Sequence, residues 1–156
     1  MATTAVEIMT APAIVISPYA SVAEIATLLA KNHISAVPVC GTDGHLMGLI
    51  SEGDLLRPFR ESVRRKRDWW LGMLADGEEL SQEYLDYMRI DTRSAQDVMV
   101  PHVITTTDDA TLPELAELMV NNRIKRLPVL RDGQVVGIVS RADVLAALAR
   151  APAMLD

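Results

Sequence analysis

Two short stretches of the chain place a serine three residues before an aspartate, each after a glycine and two apolar residues. The pairs are Ser51 with Asp54 and Ser140 with Asp143. At a helix start, free backbone N–H groups and a serine hydroxyl can bind a phosphate. A nearby carboxylate can accept hydrogen bonds from both ribose hydroxyls, and bonds to a charged acceptor contribute roughly 1.5 to 3 kcal/mol each. Such a pair therefore suits the binding of a ribonucleotide.

The same spacing is also typical of an ordinary helix start. A serine at the N-cap accepts a hydrogen bond from the first turn, and an acidic residue in that turn interacts favourably with the helix dipole. Capping alone explains each pair, so the residues by themselves leave both interpretations open.

Both pairs belong to a longer internal repeat, which covers much of the 156-residue chain. Identical residues recur at a shift of 90 positions from Met9 and Met99 onward, and the shift becomes 89 after one residue is lost in a turn. The identities after the turn are Asp43/Asp132, Gly44/Gly133, Gly48/Gly137, Ser51/Ser140, Asp54/Asp143 and Leu56/Leu145. One copy alone would have a core too small for a stable fold, so we expect the two copies to pack together.

Each copy predicts the order strand, helix, strand, strand, helix. Ser21 with Glu24, and Thr111 with Glu114, have the spacing of a capping box before a helix with one apolar face. An Asp-Gly pair between two short apolar runs then predicts a hairpin. We therefore predict an α/β (α+β) fold with a first repeat at 1–58 and a second at 96–156. The expected apolar stripes are Val22, Ile25, Ala26, Leu29 and Leu112, Leu115, Ala116, Met119.

The segment between the repeats, residues 59–95, predicts a helical insertion. Its apolar and aromatic residues recur at helical spacing, and such large side chains are expected to pack against a repeat or a second subunit. The segment also holds the basic run RRKR at 64–67. A solvated helix face, a contact for anionic ligand or nucleic acid, and a patch for an acidic partner are its open interpretations.

Composition excludes several classes of function. A net charge of −6 argues against wholesale nucleic-acid binding. The longest apolar run falls well short of the roughly 18 to 20 residues that cross a membrane, and the first residues lack the pattern of a secretory signal. One cysteine and three scattered histidines offer neither an internal disulfide nor metal-ligand spacing. We expect a cytoplasmic protein without membrane contact, metal or enzymatic activity.

The ordered set of motifs resembles the paired CBS domain, or Bateman module. The resemblance rests on ISAVPV and IKRLPV, on the Asp-Gly turns, and on the stretches 48–54 and 137–143. It covers residues 5–58 and 96–149 and implies two three-stranded sheets with helices, related by a pseudo-twofold axis, with two clefts between the repeats. Such modules bind AMP, ADP, ATP or S-adenosylmethionine, and they dimerise through their helices.

The resemblance also implies roles for individual residues. Asp54 and Asp143 would bind ribose, and Ser51 and Ser140 would bind phosphate. Just before the central proline, and at the first position of the following helix, only the second copy has cations, for which a surface role is the alternative to phosphate binding: Lys125, Arg126 and Arg141. Apolar residues expected beside the adenine are Ile34, Val37, Ile124 and Val139.

The favoured function is a regulatory sensor that binds an adenine nucleotide between its repeats and signals to an unidentified protein partner as a homodimer. No cofactor is required. Two alternatives remain: a ligand-independent interaction or scaffold protein whose Ser-x-x-Asp pairs are caps, and a nucleic-acid regulator that uses residues 64–67.

Overall fold

The structure is a computed structural model that describes residues 3–56 and 93–150. Most of the predicted helical insertion, and the whole basic run at 64–67, lie outside the described residues. Within the described ranges, every helix is too short or too polar to span a bilayer.

Helices and strands alternate as a mixed α+β fold, in agreement with the prediction. The first repeat contains α1 (Ala5–Ile8), α2 (Val22–Asn32), β1 (Ala36–Cys40), β2 (Leu46–Ser51) and α3 (Glu52–Leu56). The second contains α4 (Ala95–Val98), β3 (Thr106–Thr107), α5 (Leu112–Asn122), β4 (Arg126–Arg131), β5 (Gln134–Ser140) and α6 (Arg141–Arg150).

The two longer predicted helices, α2 and α5, begin where the capping residues place them. The Ser21 hydroxyl accepts a hydrogen bond from the Glu24 N–H at 3.1 Å. At the start of α5, the Glu114 carboxylate accepts one from the Thr111 N–H at 2.9 Å, which completes a capping box. The predicted apolar stripes are buried, with Ala116 only partly so: Val22, Ile25, Ala26, Leu29, Leu112, Leu115 and Met119.

The two sheets differ at their first strand. In the second repeat, β3 pairs in parallel with β4, and β4 pairs antiparallel with β5. In the first repeat, β1 pairs with β2, but only Ile16 forms a parallel bridge, to Val39. The next parallel rung would need an N–H at position 18, which is Pro18 and has none. The expected third strand is therefore reduced to one bridge.

Two compact units can be recognised from the contacts of the chain. The first takes in residues 3–14, 43–46 and 103–150, and the second takes in 15–42, 47–56 and 93–102. The short helix α1 thus belongs with the sheet of the second repeat, and α4 belongs with the sheet of the first. The repeats of the sequence and the units of the fold therefore differ by an exchange of these segments.

Backbone hydrogen bonds attach α1 within the first unit. The Ala5 N–H donates to the Ala110 carbonyl at 2.9 Å. Thr10 and Ile138 each donate to the other's carbonyl, at 2.9 and 3.1 Å, as an antiparallel bridge. Ala5 is completely buried and joins the apolar core formed by α5, β4, β5 and α6.

The second unit repeats this arrangement with α4. The Ala95 N–H donates to the Ala20 carbonyl at 2.8 Å, and Ala95 is completely buried. Leu49 of β2 and Val100 exchange backbone hydrogen bonds of 3.0 and 2.9 Å. Each short helix is thereby attached at one end to the loop before a long helix, through Ala110 or Ala20, and at the other end to a strand of the sheet.

The two Asp-Gly turns meet in the first unit, a contact that the sequence did not predict. Gly44 and Gly133 adopt the positive φ angles, 84° and 79°, that the predicted turns require. His45 pairs with Gln134 as an antiparallel bridge, and the Gln134 side-chain amide donates to the Asp43 carbonyl at 2.8 Å. This contact explains why residues 43–46 belong to the first unit.

Candidate functional site

In the second repeat, the predicted serine and aspartate lie where β5 passes into α6. The Ser140 N–H donates to Asp143 Oδ2 at 2.8 Å, and the Asp143 N–H donates to Ser140 Oγ at 3.1 Å. These reciprocal bonds form a helix cap, so the capping interpretation of this pair is correct as a description of the local structure.

The cap leaves part of each side chain available. Asp143 is half-buried, and its Oδ1 has no hydrogen-bond partner within residues 3–56 and 93–150. Every buried side-chain oxygen or nitrogen of the described residues has a partner, which means that this Oδ1 is open to solvent. The Ser140 hydroxyl accepts in the cap and therefore keeps its proton for another acceptor. An outward carboxylate oxygen and an O–H donor thus lie side by side.

The first repeat uses its pair differently. The Ser51 N–H and the Ser51 hydroxyl both donate to Asp54 Oδ2, at 2.9 and 3.0 Å. Asp54 is 8% exposed, which makes it one of two buried polar residues in the described part of the chain. The serine proton is consequently used inside the cap in this repeat.

A third Ser-x-x-Asp pair, in addition to the two predicted from the sequence, starts α4. The Ser94 N–H and hydroxyl donate to Asp97 Oδ2 at 2.9 and 3.0 Å, the same geometry as at Ser51. Its spacing in the sequence is the same, but the glycine and two apolar residues that precede the other pairs are missing. The hydrogen bonds of such a pair therefore indicate a cap, and a ligand role must depend on what the cap leaves free.

The structure brings the predicted cations of the second repeat to the same junction. The Arg141 N–H donates to the Lys125 carbonyl at 3.0 Å, and Arg126 lies opposite Ser140 in the β4–β5 register. Lys125 and Arg141 are exposed, whereas Arg126 is half-buried. The backbone of all three predicted cations therefore lies next to Ser140 in the fold.

The four apolar residues predicted for adenine binding fall into two groups. Ile34 and Ile124 follow the ends of α2 and α5 and are half-buried. Val37 and Val139 are completely buried in strands of their own repeats, where their side chains contribute to the core. A base approaching either junction would thus meet the isoleucines before the valines.

A metal site is not indicated by the described residues. Within residues 3–56 and 93–150, no three His, Cys, Asp or Glu side chains are grouped closely enough to hold an ion.

Comparison with known proteins identifies the repeat. A family model described as CBS domain matches residues 5–61 and 95–150. An uncharacterised protein of Methanocaldococcus jannaschii is 36% identical over 136 residues, which is 80% of this chain and 79% of that protein. CBSX2, a chloroplastic protein of Arabidopsis thaliana, is 26% identical over 138 residues, which is 85% of this chain but 57% of that protein.

Solved structures agree in fold. The CBS domain of a membrane protein from Sphaerobacter thermophilus has a TM-score of 0.71 at 26% identity, over 93% of this chain and 87% of that one. CBSX2 in complex with AMP has a TM-score of 0.69 at 26% identity, over 94% of this chain and 96% of that one.

Proposed function

Because the chain belongs to the CBS domain family, we propose that it is a regulatory sensor of an adenine nucleotide: AMP, ADP or ATP. The observation that carries this proposal is the outward Oδ1 of Asp143 beside the available hydroxyl proton of Ser140. A ribose diol and a phosphate oxygen are complementary to this pair of groups. The complex of CBSX2 with AMP supports the choice of ligand class.

Each part of the ligand has proposed contacts at the strand–helix junctions. Asp143 and Asp54 would accept hydrogen bonds from ribose. Ser140 would donate to phosphate, and Ser51 is the matching position in the first repeat, where its hydroxyl already donates to Asp54. The cations proposed beside the phosphate are Lys125, Arg126 and Arg141. Apolar contact with the base would come from Ile34 and Ile124, supported by Val37 and Val139.

The proposed output is conformational and requires no covalent step. A ligand shifts the balance between two states of the protein only by its difference in affinity for them. A sensor of this kind would present a different surface to a partner protein when the nucleotide is bound.

The first experiment is a thermal-shift panel with AMP, ADP, ATP and S-adenosylmethionine, followed by calorimetric titration of each ligand that stabilises. A ligand at one hundred times its Kd stabilises the folded state by about 2.7 kcal/mol, which is readily detected. If none of the four raises the Tm, the sensor proposal fails, and the scaffold alternative with purely structural caps takes its place.

The second experiment separates a ligand contact from a cap. Asp143→Ala is expected to weaken nucleotide binding at least about tenfold, because hydrogen bonds between ribose and a charged acceptor are lost. Asp97→Ala is the control, since it also removes the carboxylate of a Ser-x-x-Asp helix cap, at a site with no proposed ligand. Equal losses of Tm in the two variants, without any loss of affinity at Asp143, would show that both aspartates are only caps.

We further infer a homodimer formed through helices. Val120 on α5 and Leu145 on α6 are large apolar side chains that are 75% and 66% exposed, and contact with a second subunit would remove their apolar surface from water. Sedimentation of the wild type is expected to show a dimer, and Val120→Asp with Leu145→Asp is expected to shift it to monomer. A wild-type monomer at all concentrations would refute this arrangement.

A further inference from the structure

The two repeats differ in charge at the same structural position. The Arg141 N–H binds the Lys125 carbonyl in one repeat, and the Glu52 N–H binds the Ser35 carbonyl in the other, at 3.0 and 2.9 Å. The backbone contact is thus the same in both repeats, whereas the side chains of Arg141 and Glu52 carry opposite charges. Aligned positions hold Lys125, Arg126 and Arg141 in the second repeat and Ser35, Ala36 and Glu52 in the first.

Two of these cations are not neutralised by the described residues. Neither Lys125 nor Arg141 forms an ion pair within residues 3–56 and 93–150, although the chain has 21 acidic residues. Neighbouring cations without counter-charges create a positive potential that attracts an anion and is screened by salt. In the first repeat, the exposed Glu52 carboxylate creates a potential of the opposite sign.

Hydrogen bonding at the two junctions differs in the same direction. The Ser140 hydroxyl only accepts in its cap and can donate its proton to a phosphate oxygen. The Ser51 hydroxyl donates to Asp54 and would have to break that bond first. Among the described residues of the two junctions, the cations and the available donor that a phosphate requires are therefore found at Ser140 and not at Ser51.

We propose that the two repeats bind ligands of different charge. The second repeat binds the phosphorylated adenosine ligand through Arg141 and Lys125, and the first repeat accepts an adenosine compound without a phosphate. This inference rests on the proposed function and adds to it a division of ligand classes between the repeats.

The test compares AMP with adenosine by calorimetric titration, because the two differ only in the phosphate. The wild type is expected to prefer AMP by about tenfold to a hundredfold, the effect of one charge-assisted hydrogen bond. Arg141→Glu is expected to bring the ratio of the two affinities close to one. The reciprocal Glu52→Arg is expected to increase the number of AMP molecules bound per chain.

The control is Arg150→Glu, which makes the same change of charge at the last residue of α6. It lies about 13 Å from Arg141 along the helix axis and is expected to leave the affinity ratio unchanged. An unchanged ratio in Arg141→Glu, or unchanged AMP stoichiometry in Glu52→Arg, would overturn the inference while leaving adenosine binding intact. If AMP, ADP, ATP and S-adenosylmethionine all fail to bind the wild type, the proposed function itself fails.

Discussion

Asp97 shows how a single carboxylate connects this fold to pH. Hydrogen bonds from the Ser94 N–H and then the Ser94 hydroxyl hold the pKa of Asp97 below its ordinary value of 3.8. A carboxyl group whose pKa is lowered in the folded state stabilises the fold above its unfolded pKa, and that contribution is lost as the pH falls through the folded pKa. Because Asp97 caps α4, we expect acidification to weaken the attachment of this helix.

The corresponding prediction compares the wild type with Asp97→Asn in thermal melts at about pH 6 and about pH 2 to 3. The wild type is expected to have the higher Tm at the upper pH, and the difference is expected to shrink at the lower pH. A difference in Tm that does not change with pH would contradict this assignment, because the asparagine does not titrate.

Asp43 provides an independent site for the same measurement. The His45 N–H donates to its Oδ1 at 3.1 Å and is the main reason that the pKa of Asp43 is also lowered. Asp43→Asn is therefore expected to resemble Asp97→Asn in the direction of its pH dependence, although it acts in the other compact unit.

At the level of residues, the sequence identified candidate groups but could not rank them. Type and spacing were enough to find Ser51, Asp54, Ser140 and Asp143 and to predict caps. The spacing could not show which proton each serine gives to its cap, because that depends on hydroxyl geometry. It also could not show that Asp54 is buried while Asp143 is half-buried, since burial depends on residues distant in the chain.

At the level of elements, a methionine of each exchanged segment packs against a glycine in a hairpin strand. A Cβ on Gly48 would lie 2.6 Å from the Met99 sulfur and 2.8 Å from the Val100 carbonyl oxygen. The equivalent Cβ on Gly137 would lie 2.5 Å from the Met9 sulfur. Because Gly48 and Gly137 have no side chain, there is room for the segments that follow α1 and α4 to dock on these strands.

Gly48→Ala is predicted to destabilise the protein by about 1 to 3 kcal/mol, the usual cost of adding a methyl group where there is no space. The backbone oxygen of Val100 makes relief by a side-chain rotation insufficient. Gly53→Ala is the control, because its nearest neighbour is the Ser51 hydroxyl oxygen at 3.7 Å and alanine favours a helix. If the Tm of Gly48→Ala is equal to or higher than the Tm of Gly53→Ala, the segment that holds Met99 and Val100 is not closely docked on β2.

Periodicity and turn chemistry predicted the elements well. The apolar stripes, the capping residues and the Asp-Gly hairpins lie where expected, because each depends on residues close together in sequence. The prediction was incomplete where hydrogen bonding between distant segments decides the outcome. Pro18, which has no N–H to donate, limits the first strand of one sheet to a single bridge.

At the level of the whole molecule, duplication in the sequence does not coincide with division in the fold. Alignment assigns residues 3–14 to the first repeat, whereas their hydrogen bonds join them to residues 103–150. A repeat pattern shows that α1 and α4 are alike, but it does not show which sheet each of them packs on. Only the three-dimensional contacts distinguish an exchanged segment from one that packs within its own repeat.

The exchange predicts that equivalent substitutions will weaken opposite repeats. Ala5 and Ala95 are both completely buried, and a serine at either position would place a hydroxyl group in an apolar core at a cost of roughly 1 to 3 kcal/mol. In native-state hydrogen exchange, Ala5→Ser is expected to lower protection in α5, β4 and β5, and Ala95→Ser in α2, β1 and β2. Each variant is the control for the other, because the chemical change is the same. If Ala5→Ser instead exposed the amides of α2, β1 and β2, each short helix would have to pack within its own repeat.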